Sequence, residues 1–353
     1  MPAAPALAAE SNASSFHGSE PVEPKVRLAV LGDSDSHAFH DHIALKAGTE
    51  EARGGLHQAS TWQWTEILAQ LRPRDIDQGP FGEIGASRVS GYLRRHLLGS
   101  LVRQRKEDFR YNFAMSGAPC SALLDPTSGQ VPALLAEMKT NAQDWKTIPS
   151  VVLIRIGINS LGKEADLAQF AEQGPDAANL SRVNDCADHV SQAVTMLKAQ
   201  YPSLRIVLVG ILNNVDWPPF HQKWQRPAEL ANIDAVLEVY DDRLRNLART
   251  VDGVSFFDDR AFFSHHFGGR NAEGKPDYRQ VDLGGKRKVR VTQGDEPYNA
   301  VLADGHAGTV WNGLWAAAIV EELNRVTGAD IRPITEAEVA HIADPDGSFG
   351  LWK

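Results

Sequence analysis

Short apolar runs recur along the chain, each closed by a glycine or a turn, and the stretches between them carry helical periodicity. Residues 26–31 read Val-Arg-Leu-Ala-Val-Leu and end at Gly32, a run suited to a strand buried on both faces of a parallel sheet. Residues 111–115, 151–156, 205–210 and 254–257 give further strand candidates. Residues 62–71 place apolar side chains at Trp62, Ile67, Leu68 and Leu71 and stop before Pro73, a helical pattern. Residues 89–102, 130–138, 187–197, 227–247 and 309–326 read as helices in the same way.

Strands alternating with helices predict an α/β fold, here a flavodoxin-like three-layer α/β/α sandwich with a five-stranded, mainly parallel sheet. In such sheets the ligand lies beyond the carboxyl ends of the strands. One domain over 26–330 accounts for the pattern. It carries insertions at about 36–110 and 264–300 that frame the site, the second with a short strand at 288–291 that would form half of a hairpin. Residues 1–25, rich in Ala, Ser and Pro, predict a flexible arm, and 331–353 a tail. There is no internal repeat.

Composition narrows the classes. Of 353 residues 42% are hydrophobic, and the formal net charge is -9. That acidic balance supplies no broad basic surface for nucleic acid or an anionic membrane. The basic run of Arg94, Arg95, Arg103, Arg105 and Lys106 reads as the solvated face of a helix. No apolar run approaches the roughly 20 residues of a membrane span. Ala6-Leu7-Ala8 resembles a signal-peptide cleavage site without the basic and apolar regions that precede one. It is either the stub of a periplasmic or secretory signal or part of a flexible arm of a cytoplasmic protein. Cys120 and Cys186 are the two cysteines, and their spacing does not say whether they pair.

The chemistry gathers at the predicted strand ends. In Gly32-Asp33-Ser34-Asp35-Ser36-His37, a serine follows a buried strand at a turn whose N–H groups can hold a negative oxygen. By itself the tripeptide Gly32-Asp33-Ser34 also fits a turn with Ser and Asp as helix caps. Ser36 is a rival nucleophile. His37, His40 and His42 beside Asp33 and Asp35 could ligate zinc, but their spacing matches no metal motif, and neither a metal nor a cofactor is expected. His265-His266 reads as a loop pair. Trp217-Pro218-Pro219-Phe220 follows a strand end and either lines a pocket or packs in the core.

Three further blocks follow in order: Asn112-Phe113-Ala114-Met115-Ser116-Gly117-Ala118, Gly157-Ile158-Asn159-Ser160 and Asp304-Gly305-His306. With the first they make the chain resemble the SGNH, or GDSL, serine hydrolases over about 27–325, through Ser34, Gly117, Asn159 and His306. The resemblance implies a carboxylic ester hydrolase working through an acyl-enzyme. Ser34 would be the nucleophile, His306 its base and then acid, and Asp304 the group that orients His306. The oxyanion hole would comprise the backbone N–H groups of Ser34 and Gly117 and the side-chain amide of Asn159.

Two departures stand out. Two residues usually separate the acid from the histidine in the family, whereas here Gly305 alone does, so a backbone carbonyl is the alternative orienting group. Ser160 also stands where the family often has Asp. The segments 112–118 and 145–162 look most like the phospholipase B and lipase branch. The expected substrate is a small-molecule, lipid or carbohydrate ester. The same constellation serves esterase, lipid-acyl hydrolase and carbohydrate O-deacetylase chemistry. A non-catalytic carbohydrate- or lipid-binding protein on the same scaffold is the reading from a different class.

Overall fold

In a computed structural model, residues 23–45, 52–86, 103–126 and 128–353 are described. The central sheet has five parallel strands: β1 (Val26–Gly32), β2 (Ile76–Asp77), β3 (Ser150–Arg155), β4 (Arg205–Val209) and β5 (Val254–Phe257). Their spatial order is 2-1-3-4-5, a doubly wound arrangement with β1 and β3 side by side at the switch point.

The sheet separates two apolar cores, and the two-residue period of a strand decides which side chain goes where. From β1, Val26, Leu28 and Val30 join Trp64, Ile67, Trp311 and Trp315 on one face. Ala29 and Leu31 join Leu134, Val190, Leu237 and Tyr240 on the other. The helices Trp64–Leu71 and Thr309–Thr327 cover the first face. Gln130–Thr140, Ala177–Gln200 and Pro227–Thr250 cover the second. The residues beyond 330 are packed too: Ile331, Val339, Ala340 and Leu351 are buried in the first core.

Three expectations are corrected. Residues 111–115 do not form a sheet strand. The space beside β1 is shared, with Ile76 and Asp77 paired at its start and Asn112 making a single bridge to Val30 near its end. The backbone of 111–115 still runs beside the end of β1: the Val30 N–H reaches the Tyr111 carbonyl, the Phe113 N–H the Val30 carbonyl and the Met115 N–H the Gly32 carbonyl. The Asn112 side-chain amide donates to the Ser36 carbonyl and to Asp108. Residues 103–106 are not a solvated helix face. Lys106–Phe109 is a strand antiparallel to Phe81–Ile84, and Lys106 is buried with its ammonium on Asp108 and the Ala114 carbonyl. The strand expected near 288–291 is Arg290–Gln293, and it pairs in parallel with Asn299–Val301, so it is not part of a hairpin. The helix expected over 89–102, Arg94 and Arg95 included, lies outside the described residues, as does most of the N-terminal arm.

A disulfide joins Cys120 to Cys186. It ties the turn after Gly117 to the long helix Ala177–Gln200.

Candidate active site

Ser34 stands two residues beyond β1, in a turn stabilised from within. The Asp33 carboxylate accepts the Asp35 N–H at 3.1 Å, and the Ser36 N–H reaches the Asp33 carbonyl. Gln130 braces the end of the strand, accepting the Gly32 N–H and donating to the Gly32 carbonyl, both at 2.7 Å. Burial, followed by the nearby negative charge of Asp35, pushes the Asp33 carboxyl up to about 8. The rival Ser36 is wholly buried among packed groups.

Ser34, Asn159, Asp304 and His306 line one cleft of about 470 Å³, whose far wall carries Trp217 and Phe220. Asn159 sits in the short helix Ile158–Leu161 that opens after β3. Gly157 makes that corner at φ 142°, a conformation open to glycine. The Asn159 side-chain N–H₂ is buried and has no hydrogen-bond partner. Buried donors are nearly always paired, so this one is free to serve something in the cleft. The next residue, Ser160, accepts the Cys120 N–H at 3.1 Å. The serine that departs from the family pattern thus fastens the Asn159 segment to the Gly117 segment.

The short spacing of Asp304 and His306 is resolved by Gly305, whose φ is 87°. That left-handed turn brings both carboxylate oxygens onto the histidine. Asp304 Oδ1 accepts the His306 backbone N–H at 3.0 Å, and Oδ2 lies 2.9 Å from Nδ1. Trp217 Nε1 donates to the Gly305 carbonyl at 2.6 Å. The carboxylate, not a backbone carbonyl, meets the imidazole. Burial pushes the Asp304 carboxyl up, but the His306 hydrogen bonds outweigh it and hold it below its ordinary value.

Arg53 is a site residue that sequence reasoning missed. Its side chain is almost wholly buried, and its guanidinium touches four groups: the Ser34 carbonyl at 3.3 Å, Ser116 Oγ at 3.0 Å, His306 Nε2 at 3.3 Å and Asp304 Oδ2 at 3.6 Å. A guanidinium can only donate. Nε2 of His306 is therefore the acceptor, and Nδ1 carries the proton given to Asp304. This is the tautomer a general base needs. In the resting arrangement the acceptor nitrogen is held by Arg53, and no hydrogen bond joins it to Ser34 Oγ. No local motif marks Arg53, which follows a polar stretch and precedes Gly54-Gly55.

Gly117 has φ 79°, with open space where a Cβ would project. It borders a second cleft, lined also by Ser116, Met115 and Pro119. One guanidinium nitrogen of Arg53 bridges the two clefts by reaching both Ser116 and His306.

The early histidines do not converge. His37 bonds Asp41 and Ser116, and His40 bonds Glu66 and stacks on Trp62. Among the described residues no group of three His, Cys, Asp or Glu side chains could hold a metal ion. His265 and His266 lie in the last turn of the helix Asp259–Phe267 rather than in a loop.

A sequence profile of the GDSL-like lipase/acylhydrolase family matches residues 79–281, more than half of the chain. The chain belongs to that family. The matched stretch includes Gly117 and Asn159 and leaves Ser34 and His306 outside it. Membership carries ester hydrolysis at the level of the family. Among solved structures, the chain is similar to an extracellular lipase from Streptomyces rimosus. Identity is 16% with a TM-score of 0.35, over 68% of this chain and 83% of that one. It is also similar to phospholipase A1 from Streptomyces albidoflavus NA297, at 15% identity and a TM-score of 0.29, over 69% and 83%. No curated protein matches the chain. No described helix is long and apolar enough to cross a membrane.

Proposed function

We propose that the protein hydrolyses a carboxylic ester through an acyl-enzyme on Ser34. The observation that carries this reading is the convergence of Ser34, Asn159, Asp304 and His306, three of them far apart in the chain, on one cleft. His306 Nε2, released by Arg53, takes the Ser34 proton as the hydroxyl attacks the ester carbon. It then returns the proton to the leaving alcohol, and water repeats the sequence to free the acid. Asp304 stabilises the imidazolium between these steps.

The oxyanion would be received by the Ser34 N–H and the unpartnered amide of Asn159, which line the same cleft, with the Gly117 N–H, on the border of the neighbouring cleft, as the third donor that the family resemblance implies. The Asn159 amide is already desolvated, so aiming it at the developing charge costs no reorganisation. The Trp217 and Phe220 wall suits an apolar part of the substrate, which favours an ester with an acyl chain over an acetylated sugar.

The test is turnover of p-nitrophenyl esters of graded acyl length by the full chain and by Ser34→Ala. Cleavage by the wild type, reduced at least about a thousandfold in a variant with an unchanged circular dichroism spectrum, is expected. Full activity in the variant would remove Ser34 from its role.

A further inference from the structure

A second serine–histidine–aspartate chain lies beside the first. Ser116 Oγ is 2.9 Å from His37 Nδ1, and His37 Nε2 is 2.8 Å from Asp41 Oδ2. The Ser116 backbone N–H also points at His37 Nδ1, at 3.3 Å. An amide can only donate, so Nδ1 bears the lone pair and Nε2 bears the proton that goes to Asp41. The Ser116 hydroxyl must then donate to Nδ1. Every direction in the chain is fixed, and it is the direction of an activated serine.

The surroundings support the same assignment. His37 and Asp41 are wholly buried, whereas Ser116 is exposed on the wall of a cleft of about 630 Å³. Burial, then the nearby Lys106 ammonium, holds His37 below its ordinary value, which keeps the imidazole a neutral acceptor. Lys106 is itself paired with Asp108. Asp41 is anchored through Oδ1 by the N–H groups of Ile43, Ala44 and Glu107. Arg53 Nη2 donates to Ser116 Oγ and sets a positive charge where negative charge would develop. A serine held only for structure would need none of this buried apparatus.

We infer that Ser116, His37 and Asp41 form a second nucleophilic site that accepts the acyl group of a carboxylic ester bound in the cleft of Ser116 and Gly117. Ser116 Oγ bonds to the ester carbon as its proton passes to His37 Nδ1. The bond to the alcohol oxygen breaks, and that oxygen takes the proton from His37. Water attacks the acyl-serine through the same base and releases the acid.

The site does not depend on Ser34, and a fluorophosphonate probe separates the two, since it bonds to activated serines and spares ordinary ones. The full chain, Ser34→Ala, Ser116→Ala and the double variant are labelled, and the bound serine is located by peptide mass. Ser34→Ala should still take up to one label per chain, on Ser116, and the double variant none. Adding His37→Gln to Ser34→Ala should slow labelling at least tenfold. An unlabelled His37→Gln protein counts only if its circular dichroism is unchanged, and the exposed Ser116→Ala change carries the test otherwise. Label on Ser34 alone in the wild type, with Ser34→Ala inert, would overturn the second site. Label on Ser116 alone would uphold it and overturn the role of Ser34. No label on either would overturn both.

Discussion

Arg53 Nη2 lies 3.3 Å from His306 Nε2, so the nitrogen that would accept the Ser34 proton in the proposed reaction rests against a cation. The contact fixes the tautomer of His306 and ties both serine–histidine pairs to one guanidinium. Lysine keeps the charge but not the planar fork that reaches Ser34, Ser116 and His306 together. Arg53→Lys is therefore expected to lower kcat by about 10–100-fold, as a small misplacement of a catalytic group does. Its thermal midpoint should fall less than that of Arg53→Ala, which takes the guanidinium away from Asp304 and leaves its buried place empty. Steady-state kinetics and thermal unfolding of the two variants check this.

Activity and stability should part at Asn159. Its buried amide has no partner in the resting protein, so removing it relieves a desolvated donor. Asn159→Ala is expected to lose about 10²–10³ in kcat, the usual effect of one oxyanion donor. Its melting temperature should be unchanged or higher. A loss of both together would assign Asn159 to the fold.

The disulfide spans 66 residues and ends three positions after Gly117. Chain entropy gives a loop of that length about 4 kcal/mol of stabilisation. Cys120→Ser with Cys186→Ser should lose stability of that order in urea unfolding. It should also lower kcat more than it raises KM, because the Gly117 turn loosens. Reductant should reproduce the stability loss in the wild type and leave the double variant unmoved.

Acid stability should depend on Glu338. The Arg72 guanidinium bonds both its oxygens at 3.0 Å and, with the Thr335 and Arg332 contacts, holds the carboxyl down to about 2. A carboxyl lowered on folding stabilises the folded state above its unfolded value. That contribution disappears as pH falls from about 4.5 towards 2. The side chain is 23% exposed, so screening reduces the effect to about 1–2 kcal/mol. Glu338→Gln should be less stable than the wild type at pH 6, and the difference should vanish near pH 2.

The sequence by itself determined the layers and the chemical vocabulary. Runs such as residues 151–156 and 205–210 are long enough and apolar enough to be strands wherever they lie, because burial on both sheet faces leaves little choice. The four blocks were legible because each puts its polar residue directly after such a run or before a helix, as Ser34, Asn159 and His306 show. The alternation could not show that 111–115 shares the edge of β1 with Ile76 and Asp77 instead of forming a full strand, because which segments pair there is set by packing between parts of the chain remote in sequence. Nor could spacing show that one glycine suffices between Asp304 and His306, which follows from a backbone angle.

The tertiary structure alone decided how the blocks connect. Arg53 lies in a region without periodicity and acquires a role only when the fold lowers it between Ser34, Ser116 and His306. His37, one of three neighbouring histidines in the sequence, joins Asp41 to a serine 79 positions away. Cys120 found Cys186 across two elements. These relations rest on hydrogen-bond directions and distances of about 3 Å between segments remote in sequence, and such distances are set by packing against the two cores rather than by neighbours along the chain.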